Sequence, residues 1–557
     1  MVTETTTYYG RILFFHLQEK WLKEISRQLE EKDASALPKL LISPEPCYIK
    51  LDDEGQGTID FVITNNGDST AQSFVIIAII NGKKYSVSHN EELSAGDSCG
   101  ESIRSTDLSQ LKSADVLFKL TAKYQGRDLP SIEVEATYEQ ESGDVLTDNE
   151  QIPWKISNTP RETIFKGRED KLTTLISHYL SKDRYMTYIL YGLTRTGKTS
   201  ILDYLCERIE GKHIKEDDSK IISTFKWTFD EKEFKNIKRS DLWANLLETR
   251  IYDKLSDELA DAVDAAYPGK GLPPADQLSQ SDLEIVINAL NNRNIIPLIA
   301  IDEFSYVRKI IEEGLLDTTF LKKLRDISYS GKACFLYAGT YDIKDIPKEY
   351  GLTGEMNNTL AMPINEIEDN YANELIDVCP KLHFDEKARG LIRSLSGCVP
   401  YWIQWICLNC GKFAVAQRRC HLGYNEVNYV VKVMTGEIQP GRKDTWQAID
   451  EINFYNNQID PNNIAEHQLI SSISYLIRES THIERGVSMD ELNSLWNKFS
   501  VEESIRRNMV RALTSLEERG IVRQFTDETR EVYRLNVDLF RRWWYVHHRD
   551  LKREFSL

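Results

Sequence analysis

The feature that most constrains this chain is the string Gly192-Leu193-Thr194-Arg195-Thr196-Gly197-Lys198-Thr199 and what stands on either side of it. Tyr185–Tyr191 before it is a run that reads as a buried strand, and Ile201, Leu202 and Leu205 after it recur at helical spacing. In that context G-x-x-x-x-G-K-[ST] is a phosphate-binding loop. Glycine lets the backbone curl until successive N–H groups and the helix N-terminus face an anion. Lys198 is then placed to reach the β- and γ-phosphates of ATP. The Thr199 hydroxyl is placed to ligate Mg²⁺, and Ser200 follows it on the same turn. Strand-like and helix-like runs go on alternating to residue 363, which predicts a parallel sheet flanked by helices over 161–363.

A loop of this kind needs a second strand that delivers a carboxylate. Ile295–Ile301 is continuously apolar and runs into Asp302-Glu303. That is how a central parallel strand reads, and ligands sit beyond the carboxyl ends of such strands. Asp302 is expected to hold Mg²⁺ through water, and Glu303 to orient or deprotonate the attacking water. A third run, Ala333–Ala338, ends at Gly339-Thr340. Thr340 is the candidate sensor of the γ-phosphate, with a plain turn residue as the alternative. Lys198, Asp302, Glu303 and Thr340 are thus the expected catalytic set.

The rest of the chain divides by pattern into a multidomain protein. Phe14, Leu17, Trp21, Ile25 and Leu29 predict an amphipathic helix within 1–35 that packs on its own protein. Short alternating runs broken by turns such as Asn65-Asn66-Gly67-Asp68 predict a β-sandwich over 36–140. Residues 141–160 are acidic and aperiodic, a linker. Helical patterns over 364–440 form a lid, and 441–557 reads as a winged-helix domain: helices at Val487–Trp496 and Val501–Arg519, then Ile521–Phe525 and Val532–Leu535 about a polar turn. Arg506, Arg507 and Arg511 lie on the second helix, where a DNA reader would place them. Yet Val501–Leu557 carries twelve basic side chains against ten acidic ones, which favours packing or protein contact over DNA.

Charge and cysteine usage exclude other classes. A formal net charge of −18 argues against whole-surface affinity for nucleic acid or anionic lipid. Nine cysteines without framework spacing fit a reducing compartment. Met1–Tyr9 lacks the pattern of a signal peptide, and the longest apolar run, Phe74–Ile80, is too short to span a membrane. A cytoplasmic protein without membrane contact is expected. Cys407-x-x-Cys410 and Cys420-His421 stand among apolar residues and are read as core, not zinc ligands.

Across about Ile164–Phe540 the chain resembles the STAND-type signalling ATPases and the related archaeal and origin-recognition ATPases of the AAA+ group. Ile164-Phe165-Lys166-Gly167-Arg168-Glu169 is similar to their Phe-x-Gly-Arg-Glu motif, which implies that Phe165, Gly167 and Arg168 lie near the adenine. Arg195–Ser200 is similar to their Arg-x-Gly-Lys-Thr-Ser loop, and Ile301-Asp302-Glu303-Phe304 to their hydrophobic-Asp-Glu-Phe signature. Ser396-Gly397-Cys398-Val399-Pro400-Tyr401 resembles the Gly-x-Pro segment of the lid, spaced Gly-x-x-Pro here, and implies a nucleotide contact at Pro400. Tyr533–Trp543 resembles the end of the fused winged helix. Val62–Ala71 resembles immunoglobulin-like adhesion modules, in which a strand ends in Thr-Asn-x-Gly.

The resemblance implies a slow, regulatory ATPase: an ATP-dependent switch that forms homo-oligomers and meets a protein partner through the sandwich, in prokaryotic defence. The alternative it leaves open is an ATP-dependent DNA-binding protein of replication initiation or transposition. Tyr341-Asp342 stand where signalling relatives often carry an arginine. Arg308 and Arg325 are the candidates for an arginine finger.

Overall fold

The computed structural model describes residues 37–437, 459 and 463–555, apart from 45–47, 52–55, 66, 68, 90–91, 95–97, 125–126, 141–145, 156–163, 216, 230–238, 268, 270, 351–358, 480–485, 528–529 and 549. The helix expected within 1–35 lies outside them. Among the described residues no helix is long and apolar enough to cross a membrane. The chain divides into two compact units. One takes residues up to Leu146 with Lys381–Ala388 and Gln417–Glu426; the other takes Thr147–Pro380, Arg389–Ala416 and Val427–Leu557.

The first unit is built from period-two patterning. Its strands are β1 (Leu40–Ser43), β2 (Tyr48–Leu51), β3 (Gly57–Asn65), β4 (Ser73–Ile80), β5 (Lys83–His89), β6 (Ser98–Ser105), β7 (Ser113–Tyr124), β8 (Arg127–Asp128) and β9 (Ile132–Gln140). Ile59, Phe61 and Ile63 are buried at alternate positions of β3, and so are Ile76, Ala78 and Ile80 on β4. β1 and β6 pair with β3, while β9, β7, β4 and β5 follow one another. β2 pairs antiparallel with β3 and parallel with β9, curling the two layers into one sheet. Phe61 and Phe118 meet in the core with ring centroids 4.8 Å apart.

The Thr-Asn-x-Gly string has a structural explanation. Fully buried Asn65 accepts from the N–H groups of Lys39 and Gly67 and donates to the carbonyls of Ser69 and Leu93. One side chain thereby closes the loop. A Cβ on Gly67 would stand 2.3 Å from the Leu37 carbonyl oxygen.

Two pieces of the expected lid belong with this unit. β16 (His383–Phe384) and β17 (His421–Leu422) pair in parallel. Beside them buried Arg419 binds Glu426 and, at 2.9 Å, Asp60 of β3. The span 364–440 is therefore not one contiguous body. A buried guanidinium needs its carboxylates, and one of them lies 359 residues away in sequence. The expected linker also differs from its reading. Trp154 is buried in the second unit, its indole N–H donating to the Leu375 carbonyl at 2.8 Å. A single anchor in a polar stretch leaves no periodicity to detect.

The second unit centres on β10 (Thr187–Tyr191), β11 (His213–Ile214), β12 (Asp217–Thr228), β13 (Ile295–Asp302), β14 (Cys334–Gly339) and β15 (Thr359–Pro363). Their order is β11-β12-β13-β14-β10-β15, parallel except for β11. Both faces of β13 and β14 are covered, which is why those two strands are buried at every position. Ile296, Leu298 and Ala300 of β13 join one core with Leu172, Leu175, Leu202 and Leu205. Ile295, Ile299 and Ile301 join another with Leu242, Leu283, Leu290 and Leu324. This is a mixed α/β architecture of the P-loop type.

Helices Asp369–Ile376, Glu386–Ser396, Pro400–Gln417 and Tyr424–Thr435 follow the sheet. At the C-terminal end, helices Ile464–Glu479, Met489–Lys498 and Glu503–Glu518 pack about a three-stranded sheet, β18 (Val487–Ser488), β20 (Arg530–Leu535) and β19 (Val522–Asp527). Ser471 and Ser472 accept the indole N–H groups of buried Trp544 and Trp496.

Candidate nucleotide-binding site

The loop Gly192–Gly197 leaves β10 and enters helix Lys198–Ile209, and its bends fall where the string has room for them. Gly197 has φ 98° and open space where a Cβ would stand, so the loop mouth is unobstructed there. At Gly192 a Cβ would come within 2.2 Å of the Ile364 carbonyl oxygen, so only glycine permits β15's exit to pass this close. Thr196 is fully buried, and its hydroxyl donates to the Leu193 carbonyl at 2.8 Å, closing the loop from inside. Arg195 carries φ 71° and is exposed. Leu193 is buried, and Thr194, Thr199 and Ser200 are half-buried, the last two on the first helical turn.

Lys198 is the first residue of that helix and is buried. Its ammonium donates to the carbonyls of Gly192 (3.1 Å) and Leu193 (2.7 Å). Burial lowers its pKa, while the charges of Glu303 and Asp302 oppose that shift. A buried cation whose charge is only partly offset favours a polyanion in the mouth of its loop.

The acidic pair ends β13. Asp302 is buried, its Oδ1 accepts the Glu303 N–H at 3.0 Å, and among the described residues its Oδ2 accepts no hydrogen bond. Glu303 is half-exposed at φ 52°, a left-handed conformation that costs a non-glycine residue ~1–2 kcal/mol. Phe304 behind it stacks on Tyr337 of β14, with centroids 4.2 Å apart. Among the described residues no three His, Cys, Asp or Glu side chains gather on a metal position. Mg²⁺ characteristically uses one or two protein ligands and completes its shell with phosphate and water. A hydroxyl at Thr199 and an available oxygen at Asp302 fit that requirement.

The acidic strand is not the loop strand's neighbour: β14, which carries Thr340 just past its end, lies between them. Thr340 is therefore centrally placed, but its groups are engaged. Its N–H donates to the Ser305 hydroxyl at 2.9 Å, the two hydroxyls are 2.8 Å apart, and its Oγ1 also bonds Asp342. Arg308 binds Asp342 and Glu349, and Arg325 binds Asp326, so both finger candidates are held within the chain.

The residues taken from the Phe-x-Gly-Arg-Glu resemblance have identifiable work here. Phe165 is buried against Tyr204, centroids 4.4 Å apart, and Gly167 takes φ 69°. Buried Arg168 donates from Nε and Nη2 to the Thr196 carbonyl (3.3 and 3.1 Å) and to the carbonyls of Gly167 and Asn365, and burial lowers its pKa to about 10. Because a trans peptide points its C=O and N–H opposite ways, fixing Thr196 turns the Gly197 N–H away from Arg168. The guanidinium orients the loop from behind. Pro400 opens helix Pro400–Gln417, where a missing N–H costs nothing. One residue on, the Arg195 guanidinium of the loop lies 4.5 Å over the Tyr401 ring. Ser305 and Asn365 carried no signal in the sequence, whereas Tyr401 stood in the segment that resembles the lid and Asp342 where an arginine was looked for.

No protein-family model and no curated protein matches the chain. Among solved structures it is similar to the ORC2 protein of Aeropyrum pernix in ADPNP–ADP complexes (TM-score 0.47, 12% identity, 73% of this chain and 100% of that one). It is also similar to a Walker-type ATPase of Pyrococcus abyssi (0.45, 11%, 70% and 99%) and to domain III of the Thermotoga maritima replication initiation protein DnaA (0.31, 14%, 52% and 100%). A likeness of this degree concerns the path of the chain alone.

Proposed function

We propose that the chain is an ATP-driven conformational switch that binds ATP with Mg²⁺ at Gly192–Ser200 and hydrolyses it slowly. The observation that carries this reading is the order of three parallel strands, β10, β14 and β13, beside buried Lys198, whose charge is favoured by Glu303 and Asp302. The loop's N–H groups and the Lys198 ammonium bind the phosphates. Mg²⁺ held by Thr199 and Asp302 would offset charge on the β- and γ-phosphates. Glu303 orients the attacking water and takes its proton. Arg195 on Tyr401 ties the loop to the helix Pro400–Gln417, so occupancy of the loop bears on the lid. Phosphate release by the full chain tests this: Glu303→Gln should abolish turnover and retain ATP binding. Turnover unchanged in Glu303→Gln would refute the assignment.

The finer readings follow in order of support. Duplex DNA is the second reading, favoured by the outward face of helix Glu503–Glu518, where Arg507, Asn508, Val510 and Arg511 are exposed. Arg506 does not share that face: it donates to the Val501 carbonyl (2.8 Å), Asn497 (2.6 Å) and the Trp496 carbonyl (3.3 Å). Binding that weakens steeply with salt would support DNA, and no binding at low salt would remove it. Self-association in the ATP state and a protein partner on the sandwich are the remaining proposals, tested by mass photometry with and without ATP.

A further inference from the structure

Behind the three strand ends runs a chain of hydrogen bonds that the nucleotide reading leaves without a task. The Ser305 hydroxyl accepts the Thr340 N–H at 2.9 Å and lies 2.8 Å from the Thr340 hydroxyl. The Thr340 hydroxyl also reaches the Asp342 carboxylate. Asp342 binds the Arg308 guanidinium through its side chain and, at 2.7 Å, through its carbonyl. Glu349 binds the same guanidinium from the other side. A hydroxyl has a single proton to donate. The Thr340 hydroxyl is the donor toward both the Ser305 hydroxyl and the Asp342 carboxylate, so its one proton is shared between them, with the carboxylate the stronger acceptor. Thr340 thus joins Ser305, which accepts from both its N–H and its hydroxyl, to Asp342 and through Asp342 to Arg308.

Two features make this more than loop packing. Ser305 lies two residues after Glu303, on a segment that starts in a left-handed conformation. It bonds across to β14, the strand between the phosphate loop and the acidic pair. The approach is also close: a Cβ on Gly339 would stand 2.5 Å from Ser305 Oγ, so glycine there admits the serine. Arg308 returns to the same network from the following helix, Val307–Glu312.

We propose that Ser305 is a positioning residue for ATP hydrolysis: through Thr340 it fixes the loop that carries Glu303 and so sets Glu303 against the attacking water. This rests on the nucleotide reading above. It assigns Arg308 to the same bracing network, which leaves any arginine finger to another residue. A misplaced general base costs turnover and leaves nucleotide affinity intact, because Ser305 does not belong to the phosphate loop.

The test uses the full chain with Ser305→Ala, Thr340→Val and the double variant. ATP affinity, steady-state phosphate release and amide exchange of 303–308 are each measured with and without a slowly hydrolysed ATP analogue. Each single variant should lose about 10- to 100-fold in kcat with ATP affinity within about threefold. The double variant should lose no more than the worse single one, since both break one bond pair. In the unmodified chain the analogue should slow exchange across 303–308, and in Ser305→Ala that protection should disappear. Unchanged kcat, additive losses, or protection that survives Ser305→Ala would overturn the proposal while leaving the ATPase reading in place. An unmodified chain that binds no ATP would overturn both.

Discussion

Lys198 and Arg507 are both cations on helices, and they differ in what surrounds them. Lys198 is buried at the start of its helix, donates to two main-chain carbonyls, and has its pKa lowered by burial. Arg507 keeps 70% of its side chain in solvent with Glu503 3.8 Å away. Water already solvates Arg507, so an anion there gains little beyond screened attraction. Lys198 has given up its water, so an anion there regains a large interaction. Burial, not charge count, separates a binding site from a solvated face, and the −18 of the whole chain says nothing about either position.

The largest effect expected from that contrast is at Lys198. Lys198→Ala should weaken ATP binding on the order of 100-fold, about 2.7 kcal/mol, by equilibrium titration with labelled nucleotide. Binding as tight as in the unmodified chain would break the comparison outright. Gly192→Ala comes next. With the Ile364 carbonyl 2.2 Å from the added carbon, it should cost roughly 1–3 kcal/mol of stability in denaturant unfolding, independent of nucleotide.

The pH dependence sharpens the same point. The pKa of Lys198 is lowered in the free protein, and phosphates favour its charged form. Between the free and bound values, ATP binding therefore takes up a proton. Affinity should fall as pH rises through the free value, with proton uptake visible as a dependence of binding heat on buffer ionisation. Lys198→Met should abolish that uptake. The smallest effects belong to the C-terminal helix. Arg507→Ala should change stability by no more than about 0.5 kcal/mol. If duplex binds there, each of Arg507→Ala and Arg511→Ala should reduce the salt slope by about one. Arg506→Ala should instead cost ~1–3 kcal/mol of stability, because its guanidinium holds the turn between the helices.

Much of the plan was readable residue by residue. The apolar run of β13 and its acidic end were visible because a strand buried on both faces has no polar position to hide among, and Asn65 with Gly67 marked its turn. The main-chain partners of Arg168 were not legible, since a motif places a side chain near a ligand without saying which way its donors face. Trp154 and Arg419 were missed because each is a single long-range anchor with no period. Thr340 stands just past β14, and its engagement with Ser305 and Asp342 depends on residues from separate segments.

By itself the sequence determined a glycine-bent turn between β10 and its helix, an apolar strand ending in Asp302 and the alternation of strands and helices, because glycine conformation and hydrophobic period act over a few neighbouring residues. Only the tertiary structure decided that β14 stands between those two strands, that Arg168 works on the loop's back, and that Arg308 is spent inside the chain. Strand order and ion-pair choice are settled by which buried polar groups find partners across the whole fold, and that is a property no local window contains.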